Sequence, residues 1–227
     1  EAEKEGVRVH FGKWLIDGEP LLILLEFEGV KPYLNDIKKE LWDLHQVDSL
    51  GAGFDFDEPV VWGYAVGKLI KKIAADLPDK KILGHFHEWL SGSALVYLKK
   101  EKVPFASVFT THATTLGRSL AGRGVDFYNN FENINPDAEA RANFVQHKHR
   151  LEKAAALSAD VFTTVSQITA LEAKYFLERE PDLILPNGLD IEKFPTIEEI
   201  TRKHNIQRNR IRKFLIYYFF PYYTFDI

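Results

Sequence analysis

The sequence predicts an α/β fold with a mostly parallel sheet. Two observations carry this. Short apolar strand-like runs at 81–85, 105–111 and 161–165 alternate with segments whose apolar residues recur every three or four positions. Helix-start chemistry, Asn135 with Pro136 and then Ser166, falls between or just after those runs. Such alternation is the signature of parallel β-α-β units.

In chain order, residues 7–11 and 20–27 read as two strands separated by the turn signal Asp17-Gly18-Glu19. A polar, glycine-containing stretch covers 49–57. Trp62, Val66, Ile70, Ile73 and Leu77 then mark one face of a helix that ends at Pro78. A strand at 81–85, a helix at 89–98 and a strand at 105–111 follow. A single long helix is expected from Asn135, with Ala140, Phe144, His147, Leu151 and Ala155 as its buried stripe. On that stripe His147 reads as a satisfied core histidine, and His149 faces away from it. The strand at 161–165 leads into a helix capped by Ser166 and carrying Leu171 and Phe176, and a last strand at 182–185 closes at Pro186-Asn187-Gly188. From Ile197 onward the character changes to basic (Arg202, Lys203, Arg208, Arg210, Arg212, Lys213) and then aromatic (Tyr217, Tyr218, Phe219, Phe220, Tyr222, Tyr223, Phe225). This segment reads as the start of an interface.

Composition narrows the function. The 227 residues are 45% hydrophobic and 27% charged, enough to bury a core, and the net charge is −4 with 29 Lys and Arg against 33 Asp and Glu. A chain without net positive charge has no general attraction for phosphate backbones, so nucleic acid is not an expected partner. Cysteine is absent, which removes disulfides, thiolate metal sites, cysteine nucleophiles and redox function. The longest apolar runs, such as 21–25, are far too short to span a bilayer, and the charged start of the chain is unlike a signal peptide. A cytoplasmic protein is expected, with no membrane partner. The lack of any methionine suggests a chain that starts downstream of its natural start or was processed.

In an open parallel sheet the ligand lies outside the carboxyl ends of the strands. Those ends deliver His85, His87 and Glu88, then Thr110, Thr111, His112 and Thr114, then Thr163, Thr164 and Ser166. Period-2 alternation puts His85 and His87 on one side and Phe86 on the other. Two chemistries suit such a rim. One is a metal site of a metal-dependent hydrolase built on His85, His87 and His112, although Glu88 heads into the next helix and favours its positive end. The other is neutral hydrogen bonding to a polyhydroxylated ligand. His85 is the candidate for a purely structural role. Residues 110–118, a strand end and turn followed by Arg118, offer N–H groups and a cation to an anion such as pyrophosphate. Dinucleotide, P-loop, G-x-S-x-G and H-E-x-x-H signatures are absent.

Six ordered strings, at 12–18, 85–90, 109–118, 125–129, 161–170 and 185–189, together resemble the glycogen synthase family of the animal and fungal type. The resemblance implies a retaining glucosyltransferase that moves glucose from UDP-glucose to the 4-OH end of an α-1,4-glucan such as glycogen. It implies the GT-B architecture, two Rossmann-like domains with helices on both sheet faces and the active site between them. This chain resembles the first: residues 1–190 as a Rossmann-like domain incomplete at its start, and 191–227 as a connecting segment toward a second domain absent from the chain. On the family's pattern, His87 is the histidine that meets the transferred sugar, and Arg118 with the turn from Thr111 to Thr114 borders the cleft. His85, His112, Thr164 and Ser166 are substrate-side candidates, and Asn187 with Gly188 lies at the interdomain crossover. No metal or cofactor is expected, and an oligomer is compatible with the reading. The family's Tyr-His-Arg on the long helix is here Gln146-His147-Lys148. The alternatives are a non-catalytic carbohydrate-binding or regulatory module and the metal-dependent hydrolase.

Overall fold

The computed structural model describes residues 6–191, 194–220 and 222. They fall into two compact units, Glu1–Pro186 and Asn187–Ile227. In the first, β1 (Arg8–Lys13) and β2 (Leu21–Glu26) form an antiparallel ribbon of their own, Val9 opposite Leu25 and Lys13 opposite Leu21. Gly18 at φ +83° turns the chain between them, as the Asp-Gly pair requires. The ribbon is anchored at its base, where Val7, Leu25 and Phe27 join the cluster of Val30, Ile37 and Leu41.

The main sheet is parallel with strand order β3 (Leu83–His87), β4 (Ala106–Thr111), β5 (Val161–Thr164) and β6 (Leu183–Ile184). The expected α/β fold with helices on both sides is therefore what the chain adopts. Phe86, Phe109 and Phe162 lie in register across three strands and pack into one core with Leu95, Leu98, Ala155, Ala173 and Leu177. Each buried phenylalanine contributes about 2–3 kcal/mol of apolar burial.

Helix α1 (Leu34–His45) had no expectation; it carries as many charged residues as apolar ones, and Ile37 and Leu41 are the ones it buries. Helix α2 (Phe54–Asp76) starts inside the stretch expected to be polar, and its buried line is Phe56, Val60, Gly63, Gly67 and Ala74. Trp62 and Leu77, expected on the core face, are exposed. The reason is the closeness of α3 (Gly92–Lys100): a β-carbon on Gly63 would lie 2.2 Å from Ser93 Oγ. A search for bulky apolar residues overlooks a face that must be small to let another helix approach.

The expected long helix is two. Helix α5 (Pro136–Ala142), capped by Asn135 accepting from the Ala138 N–H, ends where Phe144 takes φ +58°. The Val145 N–H then bonds the Ala140 carbonyl and the Phe144 N–H that of Arg141, a Schellman closure with Phe144 in place of the usual glycine. Phe144 is thereby turned out to 82% exposure, whereas Ala140, His147, Leu151 and Ala155 are buried. Helix α6 (Gln146–Ser158) is so enclosed that His149 is also buried, not facing away as expected, and burial holds its pKa down at about 4. His147 is buried too, but its Nδ1 has no hydrogen-bond partner among the described residues, so it is not fully satisfied.

Helix α4 (Thr115–Gly122) is capped by Thr114, whose hydroxyl accepts the Gly117 N–H, and α7 (Gln167–Phe176) is capped as expected by Ser166. In the second unit, α8 (Ile197–Phe219) begins with a capping box between Thr196 and Glu199, and none of its residues is buried. Of the aromatic run, Tyr223 and Phe225 lie outside the described residues.

Candidate functional site

The register pairs His87 with Thr110 and Thr111 with Thr164, so three strand ends reach one rim together. His85 and His87 lie on the same side, ring centroids 4.1 Å apart, opposite the buried Phe86. His85 Nε2 shares a 2.7 Å hydrogen bond with Thr110 Oγ1, which shares another, 2.6 Å, with Thr163 Oγ1. His87 Nδ1 shares one of 3.1 Å with His112 Nε2. The pKa of His87 is lowered, by burial first and then by His85 and His112. A neutral imidazole on an open rim can donate to or accept from hydroxyl groups.

Glu88 does not serve the next helix. Its Oε1 accepts the His112 N–H at 3.0 Å and its own N–H bonds the Thr110 carbonyl, so it ties β3 to the turn after β4. Its backbone sits at φ +63°, a strained conformation for a side-chain-bearing residue, and Ser91 Oγ donates to the carbonyls of both His87 and Glu88.

Two buried glutamates, missed in the sequence, shape the turn into α4. Glu152 on α6 accepts from Thr111 Oγ1 at 2.7 Å and from the Thr115 N–H at 2.8 Å. Burial pushes its pKa up to about 7, against the pull of those two bonds. Glu172 on α7 accepts from Thr114 Oγ1 at 2.6 Å and from the Tyr128 hydroxyl at 3.0 Å. The Ala154-Ala155-Ala156 run beside Glu152 was the available signal, since so many small residues mark a helix enclosed on several sides. Thr111 and Thr114 are fully buried with their hydroxyls committed to these carboxylates, so they set the shape of the turn.

Arg118 is exposed and its side chain makes no ion pair among the described residues. It lines an open cleft of about 450 Å³ together with Glu88, Trp89, Thr115 and Lys148. Lys148 lies over the Trp89 ring and pairs with Asp55. The cleft is lined by Glu88 but not by the three histidines, so Arg118 and His87 belong to adjoining regions joined through Glu88. Thr164 is buried at the end of β5 with Oγ1 unpartnered among the described residues. Ser166 Oγ accepts the Thr169 N–H as a cap, and Asn187 and Gly188 are exposed in the second unit. Among the described residues no three His, Asp or Glu side chains gather closely enough to hold a metal ion.

A family model described as glycogen synthase matches residues 1–227. The chain belongs to the glycogen synthase family. It is 41% identical over 225 residues to glycogen [starch] synthase isoform 1 of Saccharomyces cerevisiae, covering 99% of this chain and 32% of that protein. It is 39% identical over 221 residues to the glycogen [starch] synthase of Neurospora crassa (97% and 31%), and 36% over 224 to the human liver glycogen [starch] synthase (99% and 32%). The chain spans about a third of the length of these curated relatives. The six strings that resembled the family occupy the tip of the β1–β2 ribbon, the end of β3, the β4–α4 turn, the 125–129 loop, β5 with the α7 cap, and the segment after β6. Four of them thus meet the carboxyl ends of the sheet. The relatives are named glycogen [starch] synthases, and among the described residues no helix is long and apolar enough to cross a membrane.

Proposed function

We propose that this chain is the first Rossmann-like domain, residues 1–190 with a connecting segment at 191–227, of a GT-B glucosyltransferase that extends glycogen in the cytoplasm. In that reaction the bond from the anomeric carbon of UDP-glucose to the diphosphate breaks, and a bond to the 4-OH of an α-1,4-glucan forms on the same face. UDP carries away the electron pair, and the hydroxyl proton leaves with it. The chain's share is one wall of the cleft: neutral His87 meets the sugar hydroxyls, and Arg118 with the turn held by Glu152 and Glu172 faces the developing diphosphate charge. Such fixed groups act where charge appears in the transition state. The observation that carries this reading is the convergence of His87, His112 and the 110–118 turn at one sheet rim in a chain matched throughout by the glycogen synthase family.

The test is transfer of labelled glucose from UDP-glucose to glycogen by the complete gene product, with retained α-configuration read by proton NMR. Glucan binding with no transfer would replace the reading with that of a carbohydrate-binding module. Metal-dependent hydrolysis without transfer would point to the third alternative.

A further inference from the structure

We infer that His112 is a positioning residue for His87, holding the His87 ring through the Nδ1···Nε2 hydrogen bond so that His87 Nε2 is the nitrogen presented to a ligand. This rests on the reading of His87 as the sugar-facing residue. The geometry is unusual in how many restraints converge on one ring. His87 is fixed at Nδ1 by His112 at 3.1 Å, on one ring face by His85 at 4.1 Å, and at its carbonyl by Ser91 Oγ at 2.7 Å. His112 is in turn fixed through its backbone, its N–H to Glu88 Oε1 at 3.0 Å and its carbonyl to Thr169 Oγ1 at 3.4 Å. The strained φ of Glu88, directly after His87, persists inside this set of contacts.

The chemistry of the pair gives it a direction. Two neutral imidazoles bonded nitrogen to nitrogen share one proton between them: a donating His112 leaves His87 Nε2 protonated and an accepting His112 leaves it bare, and in either case Nδ1 is engaged and Nε2 is the nitrogen left facing outward. A ring without that bond can turn about its side-chain torsions, and a ligand hydroxyl would then meet Nδ1 and Nε2 by turns. Removing the partner ring should therefore leave the fold intact but the outward nitrogen undefined. A histidine oriented by a second group outperforms an unoriented one because misplacement costs rate more than binding.

The test uses the ¹⁵N-labelled 227-residue chain at pH 7.5, the ring nitrogens assigned from His87→Gln and His112→Gln spectra. The expected result is a nitrogen–nitrogen coupling across the hydrogen bond between His87 Nδ1 and His112 Nε2. In His112→Phe the coupling disappears and the His87 ring shifts move toward those of an unbonded imidazole. In His112→Gln, whose amide reaches the same place, the His87 Nδ1 shift returns to that of a hydrogen-bonded nitrogen. Absence of the coupling in the unsubstituted chain, or unchanged His87 shifts in His112→Phe, overturns the inference without any activity assay. In the complete gene product, His112→Phe should lower kcat about tenfold with KM for UDP-glucose within about twofold, and His112→Gln should recover most of the loss. If His87→Ala leaves transfer intact, the reading of His87 fails while the spectra still support the pairing. If His87→Ala abolishes transfer and His112→Phe does not slow it, the positioning role is overturned.

Discussion

Gly117 lies against the carboxylate of Glu172, close enough that a β-carbon there would fall 2.2 Å from Oε2 and 2.6 Å from Thr114 Oγ1. Glu172 cannot swing away freely, because Thr114 and Tyr128 both donate to it. Helix propensity alone predicts that Gly117→Ala stabilises α4 by about 1 kcal/mol. The collision should win, since overpacking costs about 1–3 kcal/mol and breaking a buried hydrogen bond to a carboxylate adds about as much. The expected outcome is a loss of about 3 kcal/mol and a drop of about 10 °C in melting temperature. A higher melting temperature would mean that the Thr114–Glu172–Tyr128 contacts are soft.

Glu152 and His149, three residues apart on α6, should pull stability in opposite directions with pH. The Glu152 pKa is raised from 4.5 to about 7 by burial, so the folded state holds its proton longer than the unfolded chain. Its contribution is fully present below about pH 4.5 and is lost as pH rises to 7. The His149 pKa is lowered from 6.5 to about 4, also by burial. Its contribution is present above about pH 6.5 and is lost as pH falls to 4. Each shift corresponds to about 3 kcal/mol. Urea unfolding from pH 4 to 8 should therefore show Glu152→Gln gaining on the unsubstituted chain as pH rises, and His149→Phe gaining as pH falls. Parallel curves for all three proteins would show that neither group titrates as its burial demands.

His87→Ala in the complete gene product should lose at least about tenfold in kcat, roughly 1.4 kcal/mol of barrier, with little change in melting temperature. The side chain of His87 is on an open rim and supports no core packing, so its removal leaves no large cavity. A fall in melting temperature that accounts for the whole activity loss would make His87 a structural residue.

Helix α8 presents Tyr217 at 79% and Tyr218 at 62% exposure, followed by exposed Phe220 and Tyr222. Aromatic surface of this extent favours burial against another surface. Sedimentation velocity should show self-association growing with concentration, reduced by Tyr217→Ser with Tyr218→Ser. A single species across the range would show that the segment is satisfied in water.

The parallel sheet and its rim were legible because period and punctuation act locally: Phe86, Phe109 and Phe162 alternate with the polar residues that face the rim, and Asn135 and Ser166 cap where their chemistry says. What was not legible depends on neighbours distant in sequence. The stripe of α2 is small because α3 approaches it at Gly63. The break at Phe144 breaks the rule that favours glycine at a positive φ, with a phenylalanine whose exposure no periodicity announces. Within the site, the histidines and the 110–118 turn were found from strand ends, but their supports were not. Glu88 was expected to serve a helix and instead bonds His112, and Glu152 and Glu172 drew no reading, because what encloses them is packing against residues distant in sequence.

The isolated 227-residue chain should transfer no glucose, whereas on the proposed reading the complete gene product should. Retaining transfer must stabilise an oxocarbenium-like centre and a departing diphosphate together, in a site that excludes water. The rim offers His87 on an open surface, and among the described residues the neighbouring cleft offers Arg118 as its unpaired cation, since Lys148 is already paired with Asp55. A single cation facing solvent binds a diphosphate weakly, because its charge is screened and the anion keeps most of its hydration. The chain covers about a third of each relative, which leaves room elsewhere in such proteins for the groups that would complete the site. Calorimetry should therefore show weak or undetectable UDP-glucose binding, and what binding there is should fall further in Arg118→Ala. No labelled glucose should enter glycogen. Measurable transfer by the purified chain would refute the assignment of the site to a cleft that needs a second wall.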